Sequence, residues 1–426
     1  MRHAITLLLF LWSAFAVAVN AEHAPADSVV QSWLEATYKV RFSTNNSVVL
    51  LPTGQDKFDD MFLAIRAAKH SIHMEYFNFR NDSISHLLFD LLKEKTAEGV
   101  EVRLMFDGFG NMSNNRPLHK VHLDSLRACG IEIVEYDPIR PPYLTQVFHR
   151  DHRKIVVIDG VIAYTGGMNV ADYYIKGTPQ VGDWRDMHVR LEGDAVGVLQ
   201  GIFLKIWNRT THQDIHGPQY YPGERNARVL FPMLRQDTVF RDTTKVVGVV
   251  NREPHETGRI ISQTFTHCID AAQTSITIIN PYLTLNLPIR RALNRAIKRG
   301  IRVQIMVSAN SDIPLTPRIV EHTVHRLMKK GAEVYFYQGG FHHTKVMIVD
   351  GVTTFLGSAN LNSRSLGWDY ECNLLINGRN TATELQQIFD RDKDERCYRL
   401  TPERWRQFSP WHRFKCWLLQ IFTPFV

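Results

Sequence analysis

The sequence predicts an α/β protein assembled from two copies of one layered unit, each a mixed sheet with flanking helices. Three observations carry that expectation. Like segments recur at a fixed distance: EGVEVRLMF around Gly99 is echoed by RGIRVQIMV around Gly300, and CGIEIVEY around Gly130 by KGAEVYFY around Gly331, each pair 201 residues apart. Helical and strand-like periodicities alternate in both halves, as in layered α/β folds. Finally, FHRDHRKIVVIDG (Phe148 to Gly160) has a near-copy in FHHTKVMIVDG (Phe341 to Gly351).

At the N-terminus, Arg2 and His3 precede an apolar run from Ala4 to Val19, then small residues ending at Ala21. These are the parts of a secretory signal, and the run is short for a membrane span, which needs about 20 residues. Residues 1–21 are therefore expected to be a signal peptide or short anchor, placing the body outside the cytoplasm at the cell membrane, on the periplasmic face in a Gram-negative cell. An N-terminal segment, 22–47, leads into repeat one, 48–235. There Asp56 is a plausible N-cap, and Phe58, Met61, Phe62 and Ile65 follow at amphipathic-helix spacing. SIHMEYF, from Ser71, reads as the next strand, and Lys176 to Asn208 extends the repeat with a strand and a helix. Repeat two, 236–391, has Ile261, Phe265 and Ile269 at helical spacing and a strand from Ser275. The two His-x-Lys stretches are 191 rather than 201 residues apart, and the Pro-rich PIRPPYLTQV (Pro138 to Val147) accounts for the difference. An aromatic-basic tail, 392–426, closes the chain.

The 44% apolar and 22% charged content is that of a globular chain. A net charge of +7 leans towards anionic partners. Cys129, Cys268, Cys372, Cys397 and Cys416 are odd in number and scattered, indicating neither a disulfide framework nor a zinc site.

Positions i and i+2 of a strand share a face, so His152 and Lys154 are expected beside Val156 and Ile158, and His343 and Lys345 in the matching place. Asp159 and Asp350 complete the two motifs. They fall in Asp-Gly turns and are expected to brace the hairpins. Each hairpin leads to small residues and an asparagine, TGGMN ending at Asn169 and LGSAN ending at Asn360. Glycine there would let backbone N–H groups approach a ligand, and a following helix would offer its N-terminus to an anion. Histidine, lysine, asparagine and backbone amides make a phosphate site that requires no metal and no cofactor.

The paired H-x-K-x-x-x-x-D motifs, each followed by G-[GS]-x-N, resemble the phospholipase D superfamily. GGMNVADYY, DWRDMHVRLEGDAV and GSANLNSRSLGWDYECNLLI are most similar to bacterial cardiolipin synthases. The resemblance implies a two-lobed pseudo-dimer with one active site at the seam, and a phosphohistidine intermediate. It implies His152 as nucleophile and His343 as general acid, then base, with Lys154, Lys345, Asn169 and Asn360 binding phosphate oxygens. Asp186, 34 residues after His152, and Glu371, 28 after His343, take the place of orienting carboxylates. The implied partners are a phospholipid, phosphatidylglycerol, and the membrane surface, with no nucleic acid.

The chain departs from the cardiolipin synthase pattern in having at most one short N-terminal apolar segment where two spans are common. The tail offers compensation: Trp405, Phe408, Trp411, Phe414 and Trp417 are interleaved with Arg404, Arg406, Arg413 and Lys415, which suits a segment lying in a lipid interface. Four activities compete: phosphatidyl transfer, lipid hydrolysis, a nuclease with a stacking groove, and an inert binding module. Intact motifs in both halves disfavour the last, and the N-terminal signal with the aromatic-basic tail favours lipid over DNA.

Overall fold

A computed structural model describes residues 26–139, 148–221 and 245–425. The expected signal segment, most of the Pro-rich insertion and the junction between the repeats lie outside the described residues. The chain runs through α1 (Ala26–Tyr38) and β1 (Phe42–Ser43) into the first lobe: β2 (Asn46–Leu51), α2 (Gly54–Ala67), β3 (Ser71–Tyr76), α3 (Ser83–Ala97), β4 (Glu101–Asp107), α4 (Gly108–Met112), α5 (Lys120–Ala128), β5 (Glu132–Tyr136), β6 (Ile155–Ile158), β7 (Ile162–Gly166), α6 (Tyr173–Lys176), β8 (Trp184–Arg185), β9 (His188–Gly193) and α7 (Asp194–Thr211). The second lobe repeats this path: β10 (Val246–Arg252), α8 (Ile260–Ala271), β11 (Ser275–Ile279), α9 (Leu287–Lys298), β12 (Arg302–Ser308), α10 (Thr316–Met328), β13 (Glu333–Tyr337), β14 (Phe341–His342), β15 (Val346–Val349), β16 (Thr353–Gly357), α11 (Ser363–Gly367), β17 (Glu371–Asn377) and α12 (Arg379–Arg396). Then come β18 (Cys397–Arg399), α13 (Pro402–Gln407) and α14 (Pro410–Leu418).

The first sheet has the order β2-β9-β7-β6-β3-β4-β5 and the second β1-β10-β17-β16-β15-β11-β12-β13-β18. Stripped of β1 and β18, the second order is the first over again. In each, three parallel strands adjoin an antiparallel group that contains the Asp-Gly hairpin. The fold is thus the expected α/β duplication. The N-terminal segment crosses to the second lobe, where α1 packs Val30 and Leu34 against its core and β1 pairs with β10.

Both faces of each sheet are buried, which is why the strand IVVI at Ile155–Ile158 is apolar throughout. Val156 and Ile158 face the first lobe's outer helices. Ile155 and Val157 instead join Val346, Ile348, Leu374 and parts of α7 and α12 in a core shared by the two lobes. Two local expectations need correction. The N-cap of α2 is Thr53, three residues before Asp56; its hydroxyl accepts from Asp56 N at 3.0 Å and donates to the Asp56 carboxylate at 2.7 Å. The hydroxyl reaches the third amide of the turn, as an N-cap must. His152 and Lys154 also do not sit on the strand with Val156 and Ile158. β6 begins at Ile155, and the preceding residues leave the sheet to pair with the other lobe.

Candidate active site

That departure builds the seam. Asp151 forms a parallel bridge with Tyr370 of the second lobe; His152 N donates to Tyr370 O at 3.1 Å and Tyr370 N to Arg150 O at 2.9 Å. The second lobe returns the arrangement. Its β14 pairs in parallel with β8 of the first, and His343 N donates to Arg185 O at 2.6 Å. Each histidine segment is therefore stitched to the segment carrying the other lobe's carboxylate.

The side chains follow the backbone. His152 Nδ1 lies 3.1 and 3.2 Å from the two carboxylate oxygens of Glu371, and His343 Nδ1 lies 2.7 Å from Asp186 Oδ2. Chain proximity pairs Asp186 with His152 and Glu371 with His343; the structure exchanges the partners. An ionised carboxylate only accepts, so Nδ1–H donates in each pair; a neutral ring then keeps a lone pair on Nε2, and a protonated one carries its second N–H there. Ser358 Oγ donates to Glu371, and Met187 N to Asp186 Oδ1 at 2.8 Å, holding both carboxylates still. Burial alone would raise Asp186, but Lys345 and His343 outweigh it and hold it below the usual range. Burial likewise opposes the charge on Glu371, and His152, Lys154 and Ser358 reverse the balance. The carboxylates are fully enclosed, whereas the His152 side chain is 17% and the His343 side chain 10% exposed, so each imidazole keeps an edge towards solvent.

Lys154 Nζ donates to His152 O at 2.6 Å and Lys345 Nζ to His343 O at 2.5 Å. Lys345 Nζ also lies 3.0 Å from His343 Nε2 and 3.6 Å from Asp186. Burial lowers Lys154 to about 7 and Lys345 to about 8, partly offset by the carboxylates. Burial and Lys154 take His152 to about 4, and burial with Lys345 also lowers His343. The seam thus gathers a neutral His152 imidazole, a His343 imidazole whose charge burial disfavours and Asp186 supports, and two ammonium groups of unusual acidity.

Asn169 and Asn360 are buried, each with a side-chain oxygen that has no partner among the described residues. Gly167 of TGGMN has a different use from the expected one: a Cβ there would overlap the Asp186 carboxylate, so the glycine admits the acid. The helix N-termini expected after the asparagines are not free anion sites. α6 and α11 are only 4 and 5 residues long, and Asn362 caps the second through Ser365 N at 2.9 Å. Asp159 and Asp350 brace the hairpins. Asp159 accepts from the backbone of Lys69, His70 and Ser71, and Asp350 from Gln273, Thr274 and Ser275. Both adopt positive φ, +52° and +54°.

Sequence reasoning passed over the aromatic walls. Phe77 meets His152 edge-on at 5.1 Å, while Trp184 and Tyr282 meet His343 at 5.4 and 5.6 Å. Phe77 directly follows β3 and Tyr282 lies three residues past β11, the matching first parallel strands. An aromatic in the loop after each of these strands was the available signal. Lys57 was also missed. Fully buried, it donates to Asn169 O at 2.9 Å and fixes the loop bearing that asparagine.

A duplicated lobe, two His-x-Lys segments and one seam shared by both define a phospholipase D-type enzyme. A family described as cardiolipin synthase, PLD-like domain, matches residues 61–177 and 265–393. "Probable cardiolipin synthase YwiE" of Bacillus subtilis (strain 168) is 32% identical over 84% of this chain and 69% of its own length. A cardiolipin synthase of Halalkalibacterium halodurans is 34% identical over 83% of this chain and 67% of its own. The chain belongs to the cardiolipin synthase family of phospholipase D-like enzymes. Among solved structures, the phosphatidylserine synthase of Haemophilus influenzae shares the fold, with a TM-score of 0.66 and 14% identity over 92% of this chain and 97% of that one.

Proposed function

We propose that the protein joins two phosphatidylglycerols into cardiolipin and releases glycerol. The observation that carries this reading is the crossed pair of histidine–carboxylate contacts in one seam. It supplies a nucleophile and an acid–base partner that require no metal or nucleotide. His152, brought to about 4 by burial and Lys154, is unprotonated at neutral pH and suits attack through Nε2 on phosphorus. As the P–N bond forms, the P–O bond to glycerol breaks and His343, entering the step as the imidazolium paired with Asp186, gives the departing oxygen its Nε2 proton. A second phosphatidylglycerol then enters; His343 takes the proton from its headgroup hydroxyl, and that oxygen displaces His152 from phosphorus. Lys154, Lys345, Asn169 and Asn360 would hold the non-bridging oxygens as charge builds in each transition state.

One phosphodiester is exchanged for another, so the reaction is close to thermoneutral. Transfer outruns hydrolysis only if the lipid acceptor sits in place of water, and docking on a membrane supplies lipid hydroxyls at high local concentration. No helix among the described residues is long and apolar enough to cross a membrane. Attachment is read as peripheral at the described body, on the extracytoplasmic side, aided by the outward face of the tail: Trp411, Phe414 and Trp417 are 64%, 44% and 58% exposed. The deciding experiment incubates the protein with phosphatidylglycerol vesicles. Cardiolipin and glycerol in equal amounts support the reading; phosphatidic acid as the main product makes the enzyme a hydrolase, and DNA cleavage without lipid turnover makes it a nuclease.

A further inference from the structure

Away from the catalytic groups, a cleft of about 950 Å³ opens between α9, α10 and the C-terminal tail. Its wall carries Arg290 and Arg291 from α9, Arg326 from α10, and Lys329 and Lys330 just beyond it, with no carboxylate among the lining residues. The charges acting on Lys330 are those of Arg326, Arg290 and Lys298, all of one sign; with the burial that leads them, they lower its pKa. Such a concentration of positive charge raises the energy of the empty protein and is relieved by an anion. The tail contributes apolar surface: Trp417 and Ile421 are 58% and 63% exposed and both line the cleft, with Gln420 between them in sequence. Asn294, on α9, and Thr423, in the tail, also line the cleft, and Asn294 Oδ1 and Thr423 Oγ1 are buried without a hydrogen-bond partner among the described residues.

Cationic groups and exposed aromatic-aliphatic surface lining one cleft match a phosphate joined to acyl chains, and the unpaired amide and hydroxyl oxygens can serve a headgroup. The cleft and the seam share one loop: Thr284 and Leu285 line the cleft, two and three residues after Tyr282, which meets His343. The tail that closes it is tied at Thr423 O by Ser363 Oγ, 3.0 Å away, in the helix that follows Asn360.

We propose that this cleft is a second anionic-phospholipid site, distinct from the catalytic seam, which seats one lipid headgroup while Trp417 and Ile421 lie along its chains. The choice of ligand rests on the lipid reading of the seam. Bound lipid would hold α9, α10 and the tail together at the membrane surface.

The test uses the full chain carrying His152→Ala, which removes turnover, and soluble dihexanoylphosphatidylglycerol below its micelle concentration, titrated by calorimetry. Two equivalents are expected to bind. In the same background, Arg290→Gln with Lys330→Gln should weaken one of them about tenfold or more, since each basic group near an anionic lipid contributes appreciably. The exposed positions of both side chains make this variant safe for folding, and an unchanged melt checks it. Trp417→Ala should weaken the same equivalent. Two undiminished equivalents in the charge variant would overturn the proposal. So would equal binding of dihexanoylphosphatidylcholine, or equal binding of glycerol 3-phosphate, which would make the cleft a free-phosphate site. Cleft binding with no cardiolipin formed by the wild type would remove the proposed function and leave this site standing. Cardiolipin formation without cleft binding would do the reverse.

Discussion

At the scale of residues, the exchanged carboxylates make sharp demands. Glu371→Gln should impair the enzyme as severely as loss of its partner imidazole in the other lobe, because a neutral amide neither fixes the tautomer nor supports charge on the ring. We expect kcat to fall by about 10²–10⁴ for Glu371→Gln and Asp186→Asn, and by several orders of magnitude for His152→Ala or His343→Ala, measured with vesicle substrate at constant fold. The lysines set the pH profile. Their ammonium forms bind phosphate, so raising pH through about 7 and then 8 removes charge first from Lys154 and then from Lys345. kcat/KM, which reports the free enzyme, should therefore decline across that interval. It should also decline below about 4, where His152 takes up a proton and loses its nucleophilic lone pair. Lys154→Arg, charged throughout, should remove the first alkaline step even if the plateau drops; an unaltered alkaline limb would mean that Lys154 does not titrate there. The residue types of this site were legible in the sequence because the duplication printed them twice. Their pairing was not, since distance along the chain says nothing about which lobe an imidazole faces. Glu371 is 28 residues from His343, yet it serves His152 across the seam.

At the scale of elements, the Asp-Gly hairpins behaved as their turn chemistry implies, and the tail did not. Asp159 and Asp350 each satisfy three backbone amides that open a parallel strand, so alanine there should cost roughly 1–3 kcal/mol per site through unpaired donors. A thermal melt should show the loss while the remaining folded enzyme keeps its kcat/KM. The tail's composition pointed to a lipid interface, but one of its faces is docked. Trp405 stacks on His325 at 3.9 Å and is buried, while Glu321 accepts from His412 at 2.6 Å and from Cys416 at 3.2 Å. Composition cannot separate the two faces; the helical turn that divides Cys416 from Trp417 does. Deleting Pro402 to Val426 should accordingly destabilise the second lobe, since burial of one large apolar side chain is worth about 1.5–3 kcal/mol. Substituting only Trp411 and Phe414 by Ser should leave the melt in place and reduce flotation with phosphatidylglycerol vesicles. Unchanged flotation would place the lipid contact elsewhere.

At the scale of the whole molecule, the repeat order and the two sheets were readable from offsets and periodicities. The crossing of α1 and β1 onto the second lobe was not, because a short amphipathic helix carries no mark of which core receives it. The shared core between the sheets predicts that the lobes do not exchange between molecules. A mixture of His152→Ala and His343→Ala proteins should stay inactive, and recovered turnover would reveal lobe swapping. The exchange of carboxylates has one more consequence. Because each half completes the other's imidazole, the seam works as a conjunction: hinging the lobes apart would disarm attacking base and proton donor in a single motion. Substrate and product must then come and go through a mouth left open in the closed form. Neither half can drift in sequence without its twin, so the two copies, however unlike their surfaces become, remain bound to a common fate where they meet.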